Sequence, residues 1–206
     1  MTRAARTRRP YTRRLPAKDR RDQLLDTALE IIARDGYGAV SIEAIARALD
    51  VTRPVIYNQF GGLDDLLHTL LDRQERRALS QLATALDAPA RGEDLADYVE
   101  RTIRAFARMV AADPPTWRLI FLTFAGTPAA VRERVERDRE LVRGQIRSFV
   151  AAGLTKRPVA GVDADVVSHL VVAAGEYVGR MLLDQPAAVP LDALVATARG
   201  LIARGV

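Results

Sequence analysis

The sequence predicts an all-α protein of about nine helices, built as a small three-helix unit at the N-terminus followed by a larger helical domain. Three observations carry that reading. Apolar residues recur at i, i+3 and i+4 over most of the 206 residues, the spacing that gathers them on one face of a helix. No run alternates with the period of two that a half-buried strand requires. The periodic stretches are separated by proline- and glycine-bearing breaks at Asp87-Ala88-Pro89, Asp113-Pro114-Pro115, Gly126-Thr127-Pro128, Lys156-Arg157-Pro158 and Gln185-Pro186 to Pro190, where a helix must stop. Length and a hydrophobic content of 49% suit one small unit plus a domain with its own core, with boundaries expected at 1–18, 19–66 and 67–206.

Residues 1–18 hold Arg3, Arg6, Arg8, Arg9, Arg13, Arg14 and Lys18 and no acid. Pro10 and Pro16 interrupt them, and apolar periodicity is nearly missing. Such a stretch cannot bury a core and is expected to be a disordered basic arm. No apolar stretch of the length a signal peptide needs follows its charges, and no later segment reaches about 18 uninterrupted apolar residues. A cytoplasmic protein with no membrane anchor is expected.

The most informative segment is SIEAIARALD, Ser41 to Asp50, followed by VTRPVIYNQF, Val51 to Phe60. Ser41 is a good N-cap, and Ile42, Ile45, Ala46 and Leu49 recur at helical spacing. After a short turn at Asp50-Val51, Thr52 can cap a second helix. Pro54 then falls in that helix's first turn, where an amide N–H has no intrahelical partner to lose. Projected at about 100° per residue, Ile56 and Phe60 lie on one side and dock, while Pro54, Val55 and Asn58 face out. This is a helix-turn-helix pattern, and it points to operator DNA as the partner. Arg53 can donate to guanine, Asn58 can pair with adenine, and Pro54 and Val55 can touch a thymine methyl in the major groove. Ser41, Thr52, Tyr57 and Gln59 flank that face with polar groups suited to the DNA backbone, and Arg13 and Arg14 of the arm can reach phosphates or a narrow minor groove.

On these residues the chain resembles the TetR family of bacterial transcriptional regulators. The likeness runs from Arg20 to about Leu71: a first helix in QLLDTALEIIARDGYGAVSI, then IEAIARALDVTRPVIYNQF, then GGLDDLLHTLL opening a fourth helix. Ile45-Ala46, Val51-Thr52, Tyr57, Phe60 and Leu66 stand at the family's spacing. The resemblance implies that Thr52 to Gln59 form the recognition helix, that Tyr57 and Gln59 contact phosphates, and that the protein works as a homodimer. Two residues depart from the pattern. Asp50 stands where the family usually has glycine in the turn, and aspartate tolerates the left-handed conformation better than most residues. Leu63 stands where many members carry a lysine, which removes one expected phosphate contact.

Charge follows the same division. Residues 1–77 hold 15 basic and 11 acidic side chains and the remainder 16 and 15, so the net +5 sits mostly at the N-terminal end as +4 against +1. Zero cysteines exclude disulfides, thiolate catalysis and a thiolate zinc site. No cofactor or metal is expected.

Beyond residue 62 the breaks delimit helices at about 63–86, 93–112, 115–124, 128–153, 163–184 and 191–204. Helix 128–153 sets Glu133 and Arg137, Glu136 and Arg139, and Glu140 and Arg143 at i, i+3 or i+4, as on a solvated face. Helix 163–184 is apolar nearly all round, with Ala174, Gly175 and Gly179 permitting close approach, so burial from more than one side is expected. With helix 191–204 it is the expected dimerisation element, four helices about a two-fold axis. An aromatic group, Phe106, Trp117, Phe121 and Phe124, together with Tyr98 and Met109, suggests an apolar or aromatic effector site of the kind that family members enclose in this domain. His169 and Glu176, seven residues apart on one helix face, are its candidate polar anchors. The resemblance implies a ligand-responsive repressor.

Two other function classes fit parts of the sequence. Glu93, Asp94, Asp97 and Glu100 in EDLADYVE, or Asp64 to His68 in DDLLH, offer oxygen and nitrogen donors for a metal-dependent all-α enzyme, although acids in a helix's first turn are favoured by its dipole without any metal. A protein that binds DNA without sequence preference would need only the basic arm.

Overall fold

The computed structural model describes residues 16–121, 127–156 and 158–204, and all regular structure among them is helical. Helix α1 spans Ala17–Asp35, α2 Ile42–Ala48 and α3 Arg53–Tyr57. They are followed by α4 Leu63–Ala85, α5 Leu95–Ala112, α6 Pro114–Phe121, α7 Ala129–Lys156, α8 Ala164–Asp184 and α9 Leu191–Ala203. Single 3₁₀ turns sit at Tyr37–Ala39 and Pro186–Ala188. Arg13, Arg14 and Phe124 lie outside the described residues.

Helix α1 starts inside the segment expected as arm. The amide of Arg20 bonds to the carbonyl of Pro16 at 3.0 Å, and Asp19 in the first turn complements the helix dipole, so Ala17 and Lys18 are helical. Glycine ends the helix at Gly36, φ 83°. Helices α2 and α3 form as expected, with a difference at each end of α3. Thr52 occupies the N-cap position with extended backbone, but its hydroxyl makes no capping bond. Helical geometry stops at Tyr57 rather than continuing to Gln59, because Asn58 and Gln59 turn the chain back so that the Phe60 ring can reach the core. Asp50 holds the left-handed turn itself, φ 50°.

The three short helices and the start of α4 close over one core. Leu24, Ala28 and Ile32 of α1, Ile45 of α2, Ile56 of α3, and Leu66 and Leu70 of α4 are fully buried in it, and Phe60 nearly so. Leu63 packs against this cluster, which accounts for an apolar residue there: its side chain is committed to the core. The cluster continues through Leu119 of α6 and Val131 of α7, so the N-terminal unit is seated on the larger domain. A second cluster gathers Ala78, Val110, Trp117 and Leu183, with Met109 packed against it.

Helix α8 packs chiefly on α7. Gly179 is the position where small size matters, since a Cβ there would overlap the Phe121 ring. Within one protomer part of α8 stays uncovered. Val166, Leu170 and Tyr177 are 56%, 64% and 59% exposed and, with exposed Ala173 between them, form an outward stripe at helical spacing. By length and composition α8 is also apolar enough to cross a membrane. Its Glu176, however, is held in an ion pair by Arg139 of α7.

Candidate nucleic-acid interface and the cavity behind it

The reading surface is assembled from α2 and α3. Ser41 extends the backbone before α2 and accepts the amide of Ala44 at 3.0 Å, which fixes where that helix begins. The amide of Val51 bonds to the carbonyl of Ala46 at 2.9 Å and closes the turn, and buried Ile56 and Phe60 set the roll of α3. That roll leaves Thr52, Arg53, Pro54, Tyr57 and Asn58 exposed and Val55 and Gln59 half-buried, so the residues expected to meet DNA share one accessible face. Tyr57 is 54% exposed, unusual for an aromatic side chain with no partner to cover it.

Two contributors were not legible in the sequence. Arg21 of α1 donates to the backbone carbonyl of Gln59 and to Thr69 Oγ1 at 3.2 Å, and its guanidinium lies 4.1 Å from the centre of the Phe60 ring. It ties the end of the reading segment to α1 and α4. Glu43 of α2 accepts an ion pair from Arg53 Nη2 at 3.1 Å. Both side chains are well exposed, so the pair is weak and leaves Arg53 available to a stronger acceptor.

Behind this surface lies a cavity of about 1110 Å³, walled by α4 to α9 and overwhelmingly apolar. Tyr98, Phe106, Trp117 and Phe121 line it as expected. Tyr98 packs on Phe149 of α7 at 4.9 Å between ring centres, and Trp117 stacks on Phe121 at 5.2 Å. Three expectations need correction. Met109 is half-buried against the second core cluster and is not part of the cavity wall, because it lies on the flank of α5 that meets that core. His169 is 60% exposed beside Asp165, since it follows the outward stripe of α8. Glu176 does line the cavity, but its carboxylate is committed to Arg139, with Arg180 at 3.9 Å, so it is not a free anchor. The face of α7 expected to be solvated also proves useful: Arg143 joins Glu140 to Asp165 of α8, both at 2.7 Å.

Below the cavity a buried polar network fastens α4 to α6. With its amide oriented to satisfy both ends, Gln74 donates to Thr116 Oγ1 at 2.8 Å and accepts from Arg73. Gln81 donates to Asp113 at 2.8 Å and accepts from Trp117 Nε1 at 2.8 Å, and Arg77 pairs with the same carboxylate. Burial pushes the Asp113 carboxyl up, but the hydrogen bonds from Gln81, Thr116 and Arg77 outweigh it and hold the group below its ordinary value. Beside this network Arg134 of α7 pairs with Asp72, at 2.7 Å, and with Glu75 of α4. Asp138, one turn further along α7, has its carboxyl raised by burial first and by the neighbouring Glu75 second. Thr102 Oγ1, on the cavity face of α5, is buried with no hydrogen-bond partner among the described residues. A single polar position between Val99, Ile103 and Phe106 was its only signal in the sequence.

The acidic clusters are otherwise engaged. Asp94 caps α5 through the amide of Ala96 at 3.0 Å, Glu93 pairs with Arg101, and Asp97 and Glu100 both pair with Arg199 of α9. Among the described residues no three His, Asp or Glu side chains come together as a metal site.

The geometry is matched by comparison with known proteins. The sequence profile of the bacterial regulatory proteins, tetR family, matches residues 24–70, the span that forms the three-helix unit and the start of α4. Residues 24–70 thus form a DNA-binding unit of the TetR family. It is 32% identical over 108 residues to the HTH-type transcriptional activator FasR of Mycolicibacterium smegmatis, a match that covers 52% of this chain and 48% of that protein, so the aligned part spans about half of FasR. It is 27% identical over 180 residues to the HTH-type transcriptional regulator EthR of the same species, covering 84% and 78%. Among solved structures, a TetR-like transcriptional regulator from Rhodococcus sp. RHA1 superposes with a TM-score of 0.72 at 22% identity, over 93% of this chain and 98% of that one. The fatty acid degradation regulator FadR from Bacillus halodurans gives 0.66 at 19%, over 93% and 96%. The structural likeness extends the shared fold over the cavity domain.

Proposed function

We propose that this protein is a homodimeric, operator-binding transcriptional repressor of the TetR family whose grip on DNA is loosened by an apolar small molecule in the cavity. The observation that carries the proposal is the course of α4. Leu66 and Leu70 at its start are buried in the core of the reading unit, and Leu71, Ala78 and Leu82 further along wall the cavity. Anything that reshapes the cavity therefore acts on the element that holds the reading unit. Ligand and DNA then oppose each other, and linkage requires DNA to weaken ligand binding by the same factor.

Two reading units at a separation of about 34 Å would meet adjacent major grooves of a palindrome. The outward stripe of α8, Val166, Leu170, Ala173 and Tyr177, together with exposed Leu201 of α9, is the surface we assign to the second copy. Action on chromosomal DNA places the protein in the cytoplasm.

The test begins with selection of bound fragments from a random duplex pool at about 0.15 M salt, where non-specific phosphate binding is already weakened. Enrichment of a palindrome is expected. Recovery of no preferred sequence would refute operator recognition, and an operator complex indifferent to every cavity ligand would refute the coupling. A reporter driven through the selected operator reads the sign, with repression relieved on adding ligand as the expected result.

A further inference from the structure

We infer that the cavity's ligand is an uncharged amphiphile, with a hydrogen-bonding oxygen at the Thr102 wall, rather than an organic anion or cation. The inference rests on the reading of the cavity as an effector site and adds the chemistry of what fills it.

Two arginines reach the wall, and neither is available to an anion. Arg134 is shared between Asp72 and Glu75, and Arg139 between Glu136 and Glu176. The charged side chains lining the cavity are these two arginines against Glu75, Asp138 and Glu176, so a carboxylate or sulfate entering from water would lose its hydration and find, among the described residues of the wall, no unpaired cation to replace it. A cation fares no better. Asp138 is the one lining carboxylate without an ion pair among the described residues, but burial first and the neighbouring Glu75 second favour its neutral form, while Glu75 and Glu176 are already held by Arg134 and Arg139. What the apolar wall does offer is the Thr102 hydroxyl, buried and unpartnered, the kind of group that gains most from a neutral donor or acceptor. The cavity, about 1110 Å³, is at the top of the range for drug-sized ligands and accommodates a long chain or a fused ring system.

The experiment is a charge series on one chain length, 1-dodecanol, dodecanoate and dodecylammonium, titrated into the full-length protein. Binding is read from the fluorescence of Trp117, the only tryptophan, which is 1% exposed and stacked on Phe121 in the cavity wall. Dodecanol is expected to bind at least tenfold more tightly than either ion. Thr102→Val, which keeps the side chain's shape, is expected to weaken dodecanol by about three- to tenfold with a melting temperature no lower than that of the unaltered protein. Dodecanoate or dodecylammonium binding as well as dodecanol overturns the inference while leaving the effector site standing, and so does a Thr102→Val variant that binds dodecanol normally. No binding by any of the three overturns the inference and the effector reading together.

Discussion

Replacing Leu170 by glutamate is expected to separate the proposed dimer into folded monomers. Full burial of a leucine side chain stabilises by about 2 kcal/mol. Leu170 is 64% exposed in the protomer, so a partner covering it contributes about 1.3 kcal/mol per copy, or about 2.6 kcal/mol for two copies related by a two-fold axis. Losing that much raises the dimer dissociation constant by about eightyfold. Two carboxylates facing each other across the axis add a desolvation cost, so the shift is at least this large. Sedimentation velocity over a dilution series measures it directly, with far-UV circular dichroism to show that the helices persist. Val166→Glu, one turn away and outside the cavity wall, is expected to act in the same direction. The reasoning is refuted if Leu170→Glu keeps its helical signal and still sediments as a dimer at the concentrations where the unaltered protein does.

Three further outcomes are expected. Arg53→Ala and Asn58→Ala are each expected to cost about 1–3 kcal/mol of operator affinity and to relax the preference at one position per half-site, whereas loss of the Tyr57 hydroxyl weakens all sequences alike; a competition assay on single-base operator variants separates the two patterns. Tyr37 is 6% exposed, its phenol pushed up by burial and without a hydrogen-bond partner among the described residues, so Tyr37→Phe is expected to raise stability by about 1 kcal/mol and the melting midpoint by about 2–4 °C in calorimetry. The raised carboxyl of Asp138 means that the folded state favours its protonated form. Its contribution is therefore intact below the unfolded value near pH 4 and is lost as pH rises through the folded one, so Asp138→Asn is expected to melt higher than the unaltered protein at pH 7 and to lose that advantage near pH 4. An Asp138→Asn variant that melts lower at pH 7 contradicts this.

The reading unit was legible because its signals are local. Ser41, Pro54 and the Ile56–Phe60 pair each constrain a neighbour within a turn or two, and together they admit one arrangement. Leu63 shows the same logic, since an apolar residue at a helix start announces a core contact. The cavity domain was legible only as helices. On α8 nearly every position is apolar, so the periodicity does not say which flank meets α7 and which faces out, and His169 was assigned to the wrong one. Met109 and Phe106 lie three residues apart on α5, yet only Phe106 reaches the cavity; that division depends on where α6 and α8 cross. The ion pairs that tie Glu176 to Arg139 and Glu75 to Arg134 join residues 37 and 59 positions apart, and no local pattern encodes them. Thr102 is the instructive case, because a lone hydroxyl in an apolar stripe reads as tolerated variation until the fold shows that nothing satisfies it.

The unbroken length of α4 has a mechanical consequence. Its 23 residues contain neither proline nor an internal glycine, so it behaves as a stiff rod about 34 Å long. Tilting such a rod by about 5° about its cavity end carries the other tip through about 3 Å, and two rods moving in opposite senses change their spacing by about 6 Å. Bidentate contacts to base edges tolerate far less than that. In the proposed mechanism, a displacement small enough to be driven by side chains repacking around a ligand is thus geared up, without any rearrangement inside the reading unit, into loss of register with the double helix.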